Sequence, residues 1–268
     1  WAGTLWDVHR YPVAGQAQAA LVAPRLARTK LVAIVAAGPL ANAALLALCA
    51  AGGGATWLVA GAWANALHLG LSLFPWRCRS PQGPVLSDGL QIALLPRLST
   101  AALHERLAAG HRAISLELCL AGDVAGAVAE LERARGRFPR SMNVANDLAV
   151  AYLAQHRVDQ ARGLFGLVHA SGPTDLLERA VIENNLAFTL LLSGSAADLA
   201  AADELSARAV AAIGWHPAVR GTRGAILVER GRIEDGRELL LCSMEQHARP
   251  ADQALNRCYL AITDCRAG

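Results

Sequence analysis

His111–Ser141 reads HRAISLELCLAGDVAGAVAELERARGRFPRS, and Ala145–Asp175 reads ANDLAVAYLAQHRVDQARGLFGLVHASGPTD. The two superpose in a register of 34 residues: Gly122 on His156, Ala127 on Ala161, Leu131 on Phe165, Pro139 on Pro173. Within each, Ala and Leu recur at spacings of three and four, the signature of amphipathic helices. A third unit starts near Glu183 (ENNLAFTLLLSG), with a few extra residues in its turn, and a fourth near Arg220 (GTRGAILVERG). A last helix, Asp252 to Cys265, follows as a cap. Self-similarity at this period marks a stack of helix pairs, none of which buries enough apolar surface alone. Small residues (Ala149, Ala161, Ala187, Gly224) are predicted where paired helices touch, with Leu148, Tyr152, Phe165 and Leu186 between them. The prolines end second helices and open the next connection. The expected C-terminal domain, residues 99–268, is an all-α solenoid.

Residues 1–98 differ in composition. The chain has 268 residues, of which 54% are hydrophobic. Asp7 and Asp88 are the only acids in this first part, and most of the tryptophans lie there. Leu31–Ala51 (LVAIVAAGPLANAALLALCAA) and Thr56–Phe74 (TWLVAGAWANALHLGLSLF) carry no charge, and each is about one bilayer span long. Only a glycine-rich turn separates them, so the pair is expected to form a transmembrane helical hairpin. Arg25, Arg28 and Lys30 precede the first span and Arg77 and Arg79 follow the second. Both outer ends are therefore assigned to the cytoplasm, together with the repeats. Basic residues before an apolar run also suit a signal peptide, and Leu46–Cys49 a lipoprotein box. The late start of the run, the bulky Leu48 and the second span weigh against that reading. Residues 1–29 read as an interfacial connector.

The net charge of +3 is small and dispersed, which gives no basis for nucleic-acid binding. The cysteines (Cys49, Cys78, Cys119, Cys242, Cys258, Cys265) are scattered without a CxxC pair, so a zinc ribbon or redox dithiol is not expected. Unpaired cysteines suit a reducing compartment.

Three features of the first part invite a chemical reading. Gly38-Pro39-Leu40-Ala41-Asn42 places a helix-kinking proline inside the first span, with Gly38 and Asn42 on one face for close helix contact. Ser72-Leu73-Phe74-Pro75 closes the second span. Ser87-Asp88-Gly89-Leu90-Gln91-Ile92 puts an isolated carboxylate beside the membrane, either in a solvated Asp-Gly turn or compensated by a cation.

In that order, over residues 31–95, these motifs resemble the site-2 protease family of membrane-embedded zinc metalloproteases. The resemblance implies that Asp88 is a zinc-binding carboxylate and Gly89 the small residue that lets the motif turn. Gly38, Pro39 and Asn42 would shape a helix contact near the site, with Ser72 and Pro75 in the segment where the family has Asn-Leu-x-Pro. Ser72 departs from that Asn. The family's His-Glu-x-x-His helix, which supplies two ligands and the general base, is not in the sequence. His104-Glu105-Arg106-Leu107-Ala108 lacks its second histidine and reads as surface sequence leading into the repeats. The chain begins at Trp1, and the motif is expected to precede it. His68 is expected to be a buried packing histidine. The repeats resemble tetratricopeptide (TPR) repeats, which implies a concave groove for a peptide or protein partner.

Together these imply an intramembrane zinc metalloendopeptidase, multi-pass in the membrane and acting on a membrane-protein substrate, with a cytoplasmic TPR domain that recruits partners. On this reading the chain alone is inactive. The alternative is a non-catalytic, membrane-anchored TPR adaptor. A weaker third reading is a lipoprotein-like assembly factor with periplasmic repeats.

Overall fold

The first described helix, α1 (Ala27–Ala51), runs uninterrupted through Pro39 and packs against α2 (Thr56–Leu73) across a short connection. The computed structural model describes residues 26–52, 54–80, 83–245 and 250–267. Residues 1–25 of the connector, with Asp7 and Arg25, and Gly53 of the turn lie outside them. The chain divides into two units, Trp1–Ile114 and Ser115–Gly268.

In the first unit, α1 starts four residues earlier than its uncharged run, so Arg28 and Lys30 lie in its first turns. Among the described residues α1 alone is long and apolar enough to cross a membrane; α2 has no buried residue. After α2 the chain forms a two-stranded antiparallel ribbon, β1 (Arg77–Ser80) with β2 (Gly83–Leu86), pairing Arg77 with Leu86 and Cys78 with Val85. Pro84 has no N–H to give a ladder, which suits a short ribbon with free edges. The ribbon returns the chain to the end of α2, where α3 (Asp88–Leu94) begins, followed by a 3-10 turn at Leu95–Arg97. Arg28 Nη2 donates to Leu98 O at 2.9 Å, tying that turn to the start of α1.

The long α4 (Thr100–Leu120) leads into the second unit. There α5 (Val124–Arg137), α6 (Met142–Ala154), α7 (Val158–Ala170), α8 (Leu176–Ser193), α9 (Ala196–Ile213), α10 (Pro217–Glu229), α11 (Ile233–Glu245) and α12 (Pro250–Ala267) follow in turn. They pack as successive helix pairs, a solenoid in the expected register. Leu131, Leu148, Tyr152, Phe165, Leu186, Leu190 and Ile226 share one core that runs from pair to pair. Gly224 and Gly236 bring α10 and α11 into backbone contact: a Cβ on Gly224 would sit 2.9 Å from Gly236 O.

The turns between paired helices repeat as well. At Gly122, His156 and Gly231 the backbone is left-handed, with φ of 83°, 59° and 79°. Each turn closes with the same two bonds, such as His156 N to Leu153 O and Arg157 N to Tyr152 O, both 2.9 Å. This is the Schellman C-cap, which favours glycine because a Cβ is strained there. His156 is the non-glycine member. Glycine at this position relieves the strain but loses more chain entropy on folding, and the relief outweighs the loss. His156→Gly is therefore expected to stabilise the unit by about 1 kcal/mol, seen as a higher urea midpoint; a lower midpoint would count against the assignment.

The helix starts are capped by side chains. Asp123, Ser141, Asp175 and Ser195 each accept from the amide three residues on. Asp198, in the first turn of α9, takes both nitrogens of Arg162 from α7 (2.8 and 2.6 Å) and the Ser193 hydroxyl at 2.6 Å. Hydrogen bonds from Ser193 and Ser195, then Arg162, hold its carboxyl below the usual range. A depressed folded value stabilises above the unfolded value of about 3.9 and is lost as pH falls through the folded one. The stability difference between wild type and Asp198→Asn is thus expected at pH 7 and to shrink in acid, checked by urea unfolding at both ends.

Candidate functional site

In the first unit, three residues far apart in sequence converge. Ser87 caps α3 by accepting from Leu90 N at 3.3 Å, and it exchanges two bonds with Trp76 (Trp76 N to Ser87 Oγ 3.2 Å, Ser87 N to Trp76 O 3.1 Å). That clamp sets Asp88 at the end of α2, where Ser72 Oγ donates to Asp88 Oδ2 in a short hydrogen bond. A Cβ built on Gly38 would lie 3.9 Å from the same carboxylate oxygen. Gly89 rests on the backbone of Leu73, its missing Cβ position only 1.9 Å from Leu73 O. Thus Gly38, Ser72, Asp88 and Gly89 meet in one place.

Pro39 is buried and Asn42 half-buried, while Pro75 is exposed. Asp88 opens a helix, half-buried, with a hydroxyl rather than a cation as its partner. His68 is exposed on α2, not buried as expected, because among the described residues no side chain covers that face. His104, Glu105 and Arg106 are exposed on α4 as expected, whereas Leu107 and Ala108 are buried. Among the described residues no three His, Cys, Asp or Glu side chains group as metal ligands. A single carboxylate does not make a zinc site, which needs at least three protein ligands.

The second unit carries a cavity of about 170 Å³ formed by the first helices of successive pairs. Val150 and Leu153 come from α6, Asn184, Asn185 and Phe188 from α8, Thr222 from α10 and Asn256 from α12. Its lining holds no charged residue. Asn256 is committed to the wall: its Nδ2 donates to Ser243 Oγ at 2.8 Å, and that hydroxyl donates to Pro217 O at 2.7 Å. Sequence reading named no groove residues. The signal was the pair Asn184-Asn185 in an apolar helix, but only packing shows which asparagine faces what.

The pairing, the recurrent left-handed turn and the inner groove belong to one repeat type. Residues 118–179 match the tetratricopeptide repeat family. The TPR-like solenoid has further likenesses among solved structures. TTC0263, a thermophilic TPR protein in Thermus thermophilus, has 17% identity over 60% of this chain and 83% of that chain, with a TM-score of 0.48. MamA from Desulfovibrio magneticus RS-1 has 15% identity over 60% and 85%, TM-score 0.45. YrrB, described as a TPR protein with an unusual peptide-binding site, has 15% over 60% and 77%, TM-score 0.43. No curated protein matches the chain.

Proposed function

We propose that this chain is a membrane-anchored TPR adaptor whose solenoid holds a peptide segment of a protein partner. The observation that carries the reading is the uncharged groove across α6, α8, α10 and α12, built from the same face of successive repeats. Anchoring is supported by α1 and by the apolar surface of its hairpin partner, where Trp57 and Trp63 are 72% and 74% exposed. Contiguous apolar surface of that kind marks a contact with lipid or protein. Basic flanks on both outer ends favour a cytoplasmic solenoid.

Fluorescence anisotropy of the full chain in detergent micelles against decapeptides of all charge types tests the docking. Val150→Arg, at an exposed groove position, should weaken binding about tenfold or more. Leu167→Arg, exposed on the second helix of its pair, should leave it unchanged. Equal effects from both substitutions would remove the groove from the mechanism.

A second reading is favoured by the meeting of Gly38, Ser72 and Asp88. It is the intramembrane metalloprotease, in which Asp88 would supply one zinc ligand to a site completed by groups beyond the described residues. Zinc would supply an activated water for peptide hydrolysis. The described residues do not complete that site, so no catalytic step is assigned to them. Asp88→Asn in the protein as the cell makes it should lower zinc content and abolish cleavage of a membrane-protein substrate. Unchanged zinc content would end this reading.

A further inference from the structure

In a stack of antiparallel helix pairs the turns alternate between two edges. One edge holds the turns within pairs, the other the turns between them. The two edges differ in charge. The three described turns between pairs, with the helix ends beside them (residues 135–145, 168–179 and 211–220), hold five arginines and two acids. The turns within pairs, over the corresponding residues 118–127, 152–161, 191–199 and 227–236, hold three arginines and six acids. Hydrogen bonding sharpens the contrast. On the within-pair edge the arginines meet carboxylates: Arg157 with Glu132 at 3.4 Å, Arg230 with Asp203 at 3.5 Å and Arg232 with Asp235 at 2.6 Å. On the between-pair edge Arg135 donates to Pro139 O and Ser141 O, and Arg179 to Pro173 O at 2.8 Å. A carbonyl is neutral, so these bonds fix the guanidinium groups and leave their charge in place. Arg140, in the first of these turns, is exposed. The same edge carries large apolar side chains: Leu176 and Leu177, in the first turn of α8, are 65% and 49% exposed, and Trp215, between α9 and α10, is 64% exposed.

We propose that this arginine-rich edge is a second membrane contact, which seats the solenoid on the surface of a bilayer containing anionic phospholipid. The choice of a bilayer rests on the anchoring reading, in which α1 keeps the solenoid beside a membrane; it is independent of the groove. Three features select a lipid surface over an acidic protein. The charge is spread along the turns of successive repeats, not gathered in a pocket, and so matches the diffuse negative potential of anionic headgroups. Guanidinium forks suit phosphate oxygens. Trp215 has an amphipathic ring of the kind that settles at headgroup level, where Leu176 and Leu177 bury against the acyl chains. An acidic peptide would match the arginines but leave those three side chains in water. The basic flanks that favour a cytoplasmic solenoid also put it at the leaflet where anionic lipid is enriched.

Trp215 is the only tryptophan in residues 115–268, so the difference between wild type and Trp215→Phe isolates its emission from that of the first unit. The full chain is reconstituted into vesicles of phosphatidylcholine alone, or of equal parts phosphatidylcholine and phosphatidylglycerol. Each kind is prepared with and without lipid brominated on the acyl chain. The difference emission is expected to be blue-shifted and quenched by bromine in the anionic vesicles only. High salt should abolish the quenching, because exposed charges are screened. Arg140→Glu should shift the docking equilibrium about fivefold or more towards the free solenoid. Arg232→Glu, the same charge change at an exposed position on the other edge, should leave it unchanged.

Trp215 left unquenched in both kinds of vesicle would overturn the proposal and leave the edge to an acidic protein. Equal quenching in both kinds, or equal losses from Arg140→Glu and Arg232→Glu, would overturn it as well. Flotation of the same vesicles separates this result from the anchoring reading. All variants are expected to float with either lipid, held by the hairpin. A chain that floats with anionic vesicles alone would keep the edge contact and reject the anchor; one that floats with neither would reject both.

Discussion

Phe165→Ala is expected to lower the unfolding free energy of the TPR-like unit by about 3–5 kcal/mol. Phe165 is fully buried, 0% exposed, on α7. Its neighbours in the shared core come from α5, α6 and α8, including Leu131, Leu148, Tyr152 and Leu186. Removing the ring leaves a void that helices fixed on several sides cannot close. In a stack where each repeat leans on its neighbours, the loss is transmitted along the array instead of staying local. Urea unfolding followed by far-UV circular dichroism checks the size. Leu116→Ala, at an exposed position on α4, should stay within about 0.5 kcal/mol. Comparable effects from the two substitutions would mean the core does not lie where the packing puts it.

Gly89→Ala is expected to have the largest effect in the first unit. A Cβ there would lie 1.9 Å from Leu73 O, 2.6 Å from Leu73 C and 2.9 Å from Leu73 Cα. All three are backbone atoms, so no side-chain rotation relieves the clash; α3 must lift off the end of α2. Overpacking of this kind costs about 1–3 kcal/mol and sometimes more, which outweighs the gain of roughly 1 kcal/mol from replacing a helical glycine. The Ser72–Asp88 hydrogen bond should break as α3 moves. Hydrogen exchange is expected to show residues 86–95 losing protection while α6 to α10 keep theirs. Gly70→Ala, within α2 and with nothing within 4 Å of the added carbon, is the control and should be neutral or mildly stabilising. Protection retained in Gly89→Ala would show that α3 does not rest on Leu73.

The repeat architecture was legible because its causes are local and periodic. Ala127 with Ala161, and Leu131 with Phe165, recur at one spacing, and all four are buried at helix contacts. Gly122 aligns with His156 in the sequence and both are left-handed, since the turn geometry recurs where these paired helices reverse. The long uncharged run of α1 was equally plain, being a matter of length and composition.

Other features depend on partners distant in sequence. The β1–β2 ribbon is four residues a side, too short for an alternation pattern to register. The exposure of His68 follows from which face of α2 its neighbours cover. Sequence singled out Ser72, Asp88 and Gly38 separately, by motif order. Their meeting needs the ribbon to fold the chain back and Ser87 to clamp it against Trp76. In the solenoid, nothing local distinguishes Asn184 from Asn185. Periodicity alone determined the stacked helix pairs, because apolar burial obeys the helix repeat. Only the tertiary structure decided which polar atoms are left without partners, because each hydrogen bond depends on what the rest of the chain brings within reach.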